Sequence, residues 1–355
     1  MFLKTASASP LQGWLELKPI RLITLLSLVV FLVPYAFGHG PGYITPVGSV
    51  PGIALPNDFP LPPNFVAVNR ISVAPGQIVT LQLTGLKTIL PLGQTITAST
   101  IPSPFTLSGI SITINQEEKG SNVIAPVPLL AISQVNNCAS SAPTPGCANN
   151  VTYITVQIPF ELSLTAGTLW GISENNGADN SGPFDLNPVA DNIHAVTTCD
   201  RGAAVANCQA IVTHANGTVI SANSPAKASE ELVIYALGLG TTTPAVLTGT
   251  ASPIPAAVVT SPVNIQYDFR PNAAPSRPYT GVPLPAPLFV GLTPGQVGLY
   301  QINVRLPGSF PLLPPCDQTP PTTGGSTDIV QSNLTIDIGS VNSFDGAAIC
   351  VLTQQ

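Results

Sequence analysis

Two stretches with the same alternating pattern of residues constrain the fold of this chain more than any other feature. TYITVQIP occupies Thr152–Pro159, and YQINVRLP occupies Tyr300–Pro307. In each stretch apolar residues alternate with polar ones, a period of two that is typical of a β-strand with one buried face. Each ends in proline, which cannot donate to a sheet ladder. The pattern predicts two equivalent strands, with Thr155 and Gln157 facing outward in the first.

Further segments of the first half recur in the second half in the same order. VTLQLTGL at Val79–Leu86 aligns with LVIYALGL at Leu232–Leu239, and SGISITI at Ser108–Ile114 aligns with SPVNIQY at Ser261–Tyr267. Gly, Pro and Asn turn residues separate these segments at close spacing, which favours short antiparallel strands. No long segment has the 3.6-residue period of a helix. We therefore expect an all-β chain with two tandem immunoglobulin-like antiparallel β-sandwiches.

Composition predicts the nature of the segments before and between the two sandwiches. Residues 39–62 are Pro-rich and are predicted to form an extended leader. Residues between the two units carry two cysteines and turn signals, which indicates a connector stapled by a disulfide. The predicted order is a signal peptide at 1–38, the leader at 39–62, the first sandwich at 63–189, the connector at 190–228 and the second sandwich at 229–352.

The first 38 residues have the features of a secretory signal. Lys4, Lys18 and Arg21 precede the apolar run Leu22–Val33, and small residues at Ala36–Gly38 suit a cleavage site. An uncleaved N-terminal anchor is the alternative, although the run is shorter than the roughly 20 residues of a spanning helix. We predict a secreted protein, whether extracellular, cell-surface or periplasmic, with no membrane span after signal cleavage.

The charge of the chain excludes one class of partner. Only 8% of its residues are charged, against about a quarter in an average soluble protein. Cleavage after Gly38 leaves 8 Lys and Arg against 16 Asp and Glu. Nucleic-acid binding depends on clustered basic residues that neutralise phosphates, so we expect no nucleic-acid partner. An extracellular polysaccharide or protein is the expected partner instead.

All six cysteines lie in the predicted exported part, which suits an oxidising compartment. Two pairs each enclose only eight residues, which favours pairing them and leaves the last two for each other. Metal binding is the rival interpretation, but the sequence contains no CxxC pair. The predicted disulfides are Cys138 with Cys147, Cys199 with Cys208, and Cys316 with Cys350.

A resemblance to a known family covers much of the second half. HANGTVISANSPAKASEELVIYALGLGTTTPAV at His214–Val246, with PLFVGLTPGQVGLYQINVRLPG at Pro287–Gly308, resembles the Solibacter uncharacterised C-terminal domain of secreted bacterial proteins. The N-terminal half resembles the immunoglobulin-like domain that often precedes it. The resemblance implies an extracytoplasmic sandwich and brings no catalytic assignment. The chain departs from the family pattern at the insertion Asp268–Thr280 and at Cys316 and Cys350.

These features favour a non-catalytic structural or binding protein, outside the cell or on its surface, that adheres to or contacts polysaccharide. The candidate ligand-binding residues are Tyr279, Arg270 and Arg277, because all three lie in the insertion and loops at sandwich ends commonly bind. No cofactor is predicted. A third hypothesis is an assembly subunit that pairs through its edge strands.

An extracytoplasmic enzyme is the alternative function. The sequence contains no GxSxG, HExxH or Walker A motif, but catalytic residues can assemble from distant loops as in a hydrolase. Cleavage after Gly38 would also make His39 the N-terminal residue, and this His-Gly start resembles the mature N-terminus of lytic polysaccharide monooxygenases. That resemblance implies an oxidase in which His39 holds copper together with His194 or His214. Ser173–Asp185 carries acidic residues that could bind Ca²⁺, although a polar hairpin turn accounts for it better.

Overall fold

The structure contains strands and no helices in the residues that it describes. A computed structural model describes residues 45–51, 70–84, 86, 90–91, 94–118, 121–136, 150–174, 179–180, 184–197, 210–268, 282–283, 285–309, 333–339, 341–343 and 347–351. Within these ranges no helix is long and apolar enough to cross a membrane. The prediction of an all-β fold is confirmed for these residues.

Twenty-four strands follow one another along the described residues. The first twelve are β1 Thr45–Pro51, β2 Arg70–Val73, β3 Ile78–Thr84, β4 Thr95–Thr97, β5 Thr106–Leu107, β6 Ile110–Glu118, β7 Ser121–Val127, β8 Leu129–Asn136, β9 Asn150–Gln157, β10 Gly167–Glu174, β11 Asp179–Asn180 and β12 Phe184–Pro188. The other twelve are β13 His194–Ala195, β14 Val212–His214, β15 Glu231–Leu237, β16 Thr242–Thr243, β17 Val258–Val259, β18 Val263–Asp268, β19 Val282–Pro283, β20 Phe289–Leu292, β21 Tyr300–Arg305, β22 Asn333–Ile338, β23 Val341–Asn342 and β24 Ala347–Ala348.

These strands form four sheets, two in each half of the chain. The first half has a sheet in the order β1-β3-β9-β8-β4 and a sheet in the order β2-β12-β10-β6-β5, with β7 on β6 and β11 on β10. The second half has the orders β13-β15-β21-β20-β17-β16, with β14 on β15, and β19-β18-β22-β23, with β24 on β22. The named strand pairs are antiparallel except for β12 with β2. Within the stretch Ser173–Asp185, Ser173 pairs with Asn180 and Glu174 with Asp179 in the antiparallel β10–β11 pair, while residues 175–178 and 181–183 lie outside the described residues.

Two apolar cores lie between these sheets. The first contains Ile154, Val156 and Ile158, and the second contains Ile302, Val304 and Leu306, so the apolar face of each predicted strand is buried. Burial of such side chains stabilises a fold by about 1.5 to 3 kcal/mol each. The first core collects residues between Val73 and Leu186, and the second collects residues between Ile193 and Val351.

The polar faces of the two strands differ. Asn303 is half-buried and Arg305 is exposed, as the alternation predicts. Thr155 and Gln157, however, are 6% and 0% exposed, so the expectation that this polar face meets solvent is wrong, although neither side chain belongs to the apolar core on the other face. The Thr155 hydroxyl lies 2.9 Å from that of Thr80, which gives these two buried polar groups a partner.

Segments outside the two predicted sandwiches also add strands to the sheets. β1 lies within the predicted leader and pairs with β3. β13 and β14 lie within the predicted connector, and both pair with β15. The described part of the connector therefore belongs to the second core, to which Ala210 and Val212 contribute completely or almost completely buried side chains.

Polar and backbone groups join the two halves at a region that we call the junction. The Gly249 N–H donates to Gln157 Oε1 at 2.7 Å, and the Ser103 N–H donates to the Gly249 carbonyl at 2.8 Å. Beside them, the Phe160 N–H donates to Thr248 Oγ1 at 2.8 Å. The Phe160 side chain also packs against the second core. The junction is thus held by hydrogen bonds largely removed from water as well as by apolar packing.

Candidate functional site

Most of the residues proposed from the sequence as ligands lie outside the described residues, so those predictions stay predictions. Of the three candidate metal ligands, His194 and His214 are described. Cys350 is described and is 3% exposed in the second core. The site residues outside the described ranges are Tyr279, Arg270, Arg277, His39, Cys138, Cys147, Cys199, Cys208 and Cys316.

The two described histidines lie on two strands that both pair with β15, but they lie far apart along it. His194 on β13 pairs with Leu237, whereas His214 on β14 pairs with Leu232. Both partners belong to β15 and are five residues apart, which corresponds to roughly 17 Å along a strand. The two imidazoles therefore do not meet at one ion. Among the described residues, no group of three or more His, Cys, Asp or Glu residues could hold a metal.

His214 lies instead at the centre of a compact polar cluster with Ser224 and Glu230, which we call the His214 cluster. Nδ1 of His214 is hydrogen-bonded to Glu230 Oε1. Nε2 lies 3.1 Å from Ser224 Oγ and 3.2 Å from the Ser224 carbonyl oxygen. The His214 and Glu230 side chains are 13% and 24% exposed. A serine, a histidine and a carboxylate thus lie in line.

Local turns bring these three residues together. After β14, the Gly217 N–H donates to the His214 carbonyl, and the Thr218 N–H donates to Asn216 Oδ1, which is the hydrogen bond of an Asx turn. Gly217 adopts a φ of 84°, a conformation that costs glycine little. A second tight turn links Ser221 and Ser224 by two backbone hydrogen bonds. The chain therefore reverses twice before β15 and places Ser224 beside His214.

Several opposing effects set the charge of Glu230. Burial alone would raise the pKa of its carboxyl group, but the hydrogen bond from His214, the hydrogen bond from the Lys227 N–H and the positive charges of both residues lower it. The net result is a lowered pKa, so Glu230 is a carboxylate near neutral pH. In the neutral imidazole, Nδ1–H then donates to Glu230, and Nε2 accepts from the Ser224 hydroxyl.

The cluster has the order of a catalytic triad, but the backbone N–H groups beside its serine are not available to a substrate. Acyl transfer also requires N–H donors that stabilise the oxyanion. The Ser224 N–H donates to the Ser221 carbonyl, and the Ala226 N–H donates to the Cys350 carbonyl. Pro225 has no N–H, and the Lys227 N–H donates to Glu230 Oε2. Each backbone donor on Ser224 and the three residues after it is absent or engaged, so the geometry suits a clamp that fixes two turns to β15.

From the sequence His214 was predicted only as a candidate metal ligand, and Ser224 and Glu230 were not predicted as site residues. The three residues are separated by intervals of ten and six positions, which match no known motif. The signal that was present is the density of turn residues between His214 and Glu230, which indicates that the chain folds back over this stretch. That density does not identify which side chains meet.

Comparisons with known proteins add no assignment to this cluster. No model of a protein family matches the chain. No curated protein matches it either. The similarity to the Solibacter C-terminal domain therefore stays a prediction from the sequence.

Proposed function

We propose that this chain is a secreted or cell-surface, non-catalytic protein with a structural or binding role at an extracellular polysaccharide or protein. The observation that carries the proposal is the use of its polar side chains. Gln157 binds backbone across the junction, and Glu230 binds both His214 and the Lys227 N–H. Groups that could do chemistry are thus engaged in holding the backbone in place.

The proposed architecture is two tandem immunoglobulin-like sandwiches. Its support is the order of neighbours within the sheets. β3, β9 and β8 lie side by side in the first half, and β15, β21 and β20 lie side by side in the second. These strands contain the segments that align in the sequence, VTLQLTGL with LVIYALGL and TYITVQIP with YQINVRLP. Each half also has its own apolar core, as expected of two units.

The proposed location rests on the N-terminal segment, the cysteines and the low charge. A signal-like segment at residues 1–38 and six cysteines are typical of exported proteins. N-terminal sequencing of the protein collected outside the producing cells tests this directly. A chain that begins near His39 supports export with cleavage, whereas a protein that keeps Met1 and stays with the cytoplasmic fraction contradicts it.

The proposed contact surface is the insertion that carries Tyr279, Arg270 and Arg277. A pull-down of the full chain on insoluble polysaccharides and isolated cell walls tests it. We expect retention of the wild type and loss of retention when all three residues are replaced by Ala. The matched control is Arg305→Ala, which removes an exposed arginine that contacts Glu231. Retention of neither protein, or equal loss in the control, contradicts the proposal.

A hydrolase is the second candidate function, and the alignment of Ser224, His214 and Glu230 favours it. A panel of ester, amide and glycoside substrates separates it from the first. Turnover that disappears in Ser224→Ala would assign hydrolysis to the cluster. Turnover that is absent, or unchanged in Ser224→Ala, would leave the cluster as a clamp.

A further inference from the structure

Strand β7 lies at an open edge of its sheet. It pairs with β6 over Ile112–Glu118, while β5 pairs with the first residues of β6. Among the described strands β7 has no second neighbour. The backbone groups on its outer side therefore form a row of donors and acceptors that a further strand can use.

β7 exposes apolar side chains to solvent, whereas natural edge strands usually carry residues that prevent pairing with another chain. Val123 is 58% exposed and Ile124 is 66% exposed. They are the one adjacent pair among the large apolar side chains found exposed in the described residues. Because adjacent residues point to opposite faces, both faces of the edge carry an exposed apolar group. Edge strands are normally blunted by lysine, other charges, proline or short length. β7 has seven residues, SNVIAPV, that carry no charge, and Pro126 is the one residue of this protective kind in it.

Pro126 indicates which residues of β7 face the open edge. Proline has no N–H and occurs in sheets where its nitrogen faces away from the neighbouring strand. Pro126 lies opposite Thr113 of β6. Residues in phase with it, Asn122 and Ile124, then direct their N–H and C=O groups outward. At both Asn122 and Ile124, the open edge therefore offers an N–H donor and a C=O acceptor.

We propose that β7 pairs antiparallel, edge to edge, with β7 of a second copy of this chain. The uncharged strand brings no like charges into opposition when it meets its own copy, and it gives a charged ligand nothing to recognise. A twofold arrangement places the same backbone row and the same apolar side chains on both partners, so each satisfies the other. This inference does not depend on the proposed function.

The pairing is expected to be reversible. One strand pair with a few apolar side chains buries less than the roughly 1,000 Å² typical of a stable complex. The dimer population should therefore rise with protein concentration.

Sedimentation of the full-length mature chain over a concentration series tests the inference. We expect a monomer–dimer equilibrium for the wild type. The double variant Val123→Lys/Ile124→Lys should weaken it by about tenfold or more, because four lysines would meet at one edge. The control Leu288→Lys changes another exposed apolar side chain, 57% exposed and outside β7, and should dimerise as the wild type does. A monomeric wild type, or a double variant that dimerises normally, overturns the inference.

Hydrogen exchange on the unmodified protein gives an independent readout. Exchange of the peptide that contains Ser121–Val127 should slow as the protein concentration rises, while a peptide from β20 should not change. Exchange in β7 that is independent of concentration overturns the inference, whatever the variants do.

Discussion

The Gly249 N–H donates a hydrogen bond of 2.7 Å to Gln157 Oε1 across the junction, and the two partners are 92 positions apart in the chain. Gln157 is fully buried, and its amide nitrogen lies 3.5 Å from the Gly76 carbonyl oxygen. One side chain of β9 therefore holds backbone from both halves. A buried donor that loses its only acceptor costs about 1 to 3 kcal/mol, so this contact stabilises the arrangement of the halves.

Replacement of Gln157 by Ala should lower the free energy of unfolding by about 1 to 3 kcal/mol, because the Gly249 N–H is left buried without its acceptor. Denaturant unfolding monitored by fluorescence measures this loss. Gln94→Ala is the control, since Gln94 is exposed, and it should change the free energy by less than about 0.5 kcal/mol. Equal stability of both variants would show that the junction bond contributes nothing.

Alanine substitutions at two glycines with positive φ should distinguish the cost of backbone strain from the cost of steric overlap. Gly217 has a φ of 84° and open space around a Cβ, whereas Gly238 has a φ of 71° and a Cβ there would overlap the carbonyl oxygen of Asn192. Gly217→Ala should cost about 1 to 2 kcal/mol from backbone strain. Gly238→Ala should cost about 1 to 3 kcal/mol more, because the backbone must shift as well. Thermal unfolding of the two variants makes the comparison, and equal losses would contradict the close approach.

The lowered pKa of Glu230 predicts a pH dependence of stability with a definite sign. A carboxyl group with a folded pKa below its unfolded value stabilises the fold above the unfolded pKa, and that stability is lost as the pH falls through the folded pKa. The free energy of unfolding of Glu230→Gln should therefore fall below that of the wild type near neutral pH. The difference should shrink as the pH drops below 4.5, the ordinary value.

Urea unfolding at a series of pH values checks this expectation. Glu231→Gln is the control, because Glu231 is about half exposed and its ion pair with Arg305 is at the surface, where such pairs contribute little. A difference between Glu230→Gln and the wild type that is the same at acid and neutral pH would contradict the role assigned to this carboxylate.

Alternation in the sequence was sufficient to predict β9 and β21 and the apolar face of each. Ile154 and Val156 point into the first core, and Ile302 and Val304 point into the second, because a period of two is a local property of the chain. The burial of Gln157 was not predictable in that way. Its cover includes Gly249, and a contact over 92 residues leaves no trace in the local pattern.

The His214 cluster could not be predicted from the sequence for a related reason. Its geometry arises when the Ser221–Ser224 turn folds against the end of β14, and the polar residues of this stretch are ordinary turn residues. The sequence could identify His214 as a candidate ligand. Its hydrogen-bond partners, however, depend on how the two turns pack against each other. Alternating strand segments could therefore be predicted from the sequence, whereas the contacts between loops could not.

The cysteine pairing predicted from the sequence has a direct chemical test. Peptide mapping of the exported protein without reduction should find Cys138 linked to Cys147, Cys199 to Cys208, and Cys316 to Cys350. Each of the two short loops should stabilise the fold by roughly 2 to 3 kcal/mol, so reduction should lower the unfolding midpoint. Alkylation of any cysteine in the unfolded, unreduced protein, or a link from Cys350 to another partner, would contradict this pairing.

We propose that the polar groups of this fold hold backbone and do not catalyse, and covalent labelling of Ser224 is the direct test. A fluorophosphonate probe modifies a serine that a histidine activates. Intact-mass measurement of the folded protein after exposure to the probe should show the unmodified mass, because the N–H groups around Ser224 are already engaged. A single adduct on Ser224 that disappears in His214→Gln would contradict the claim.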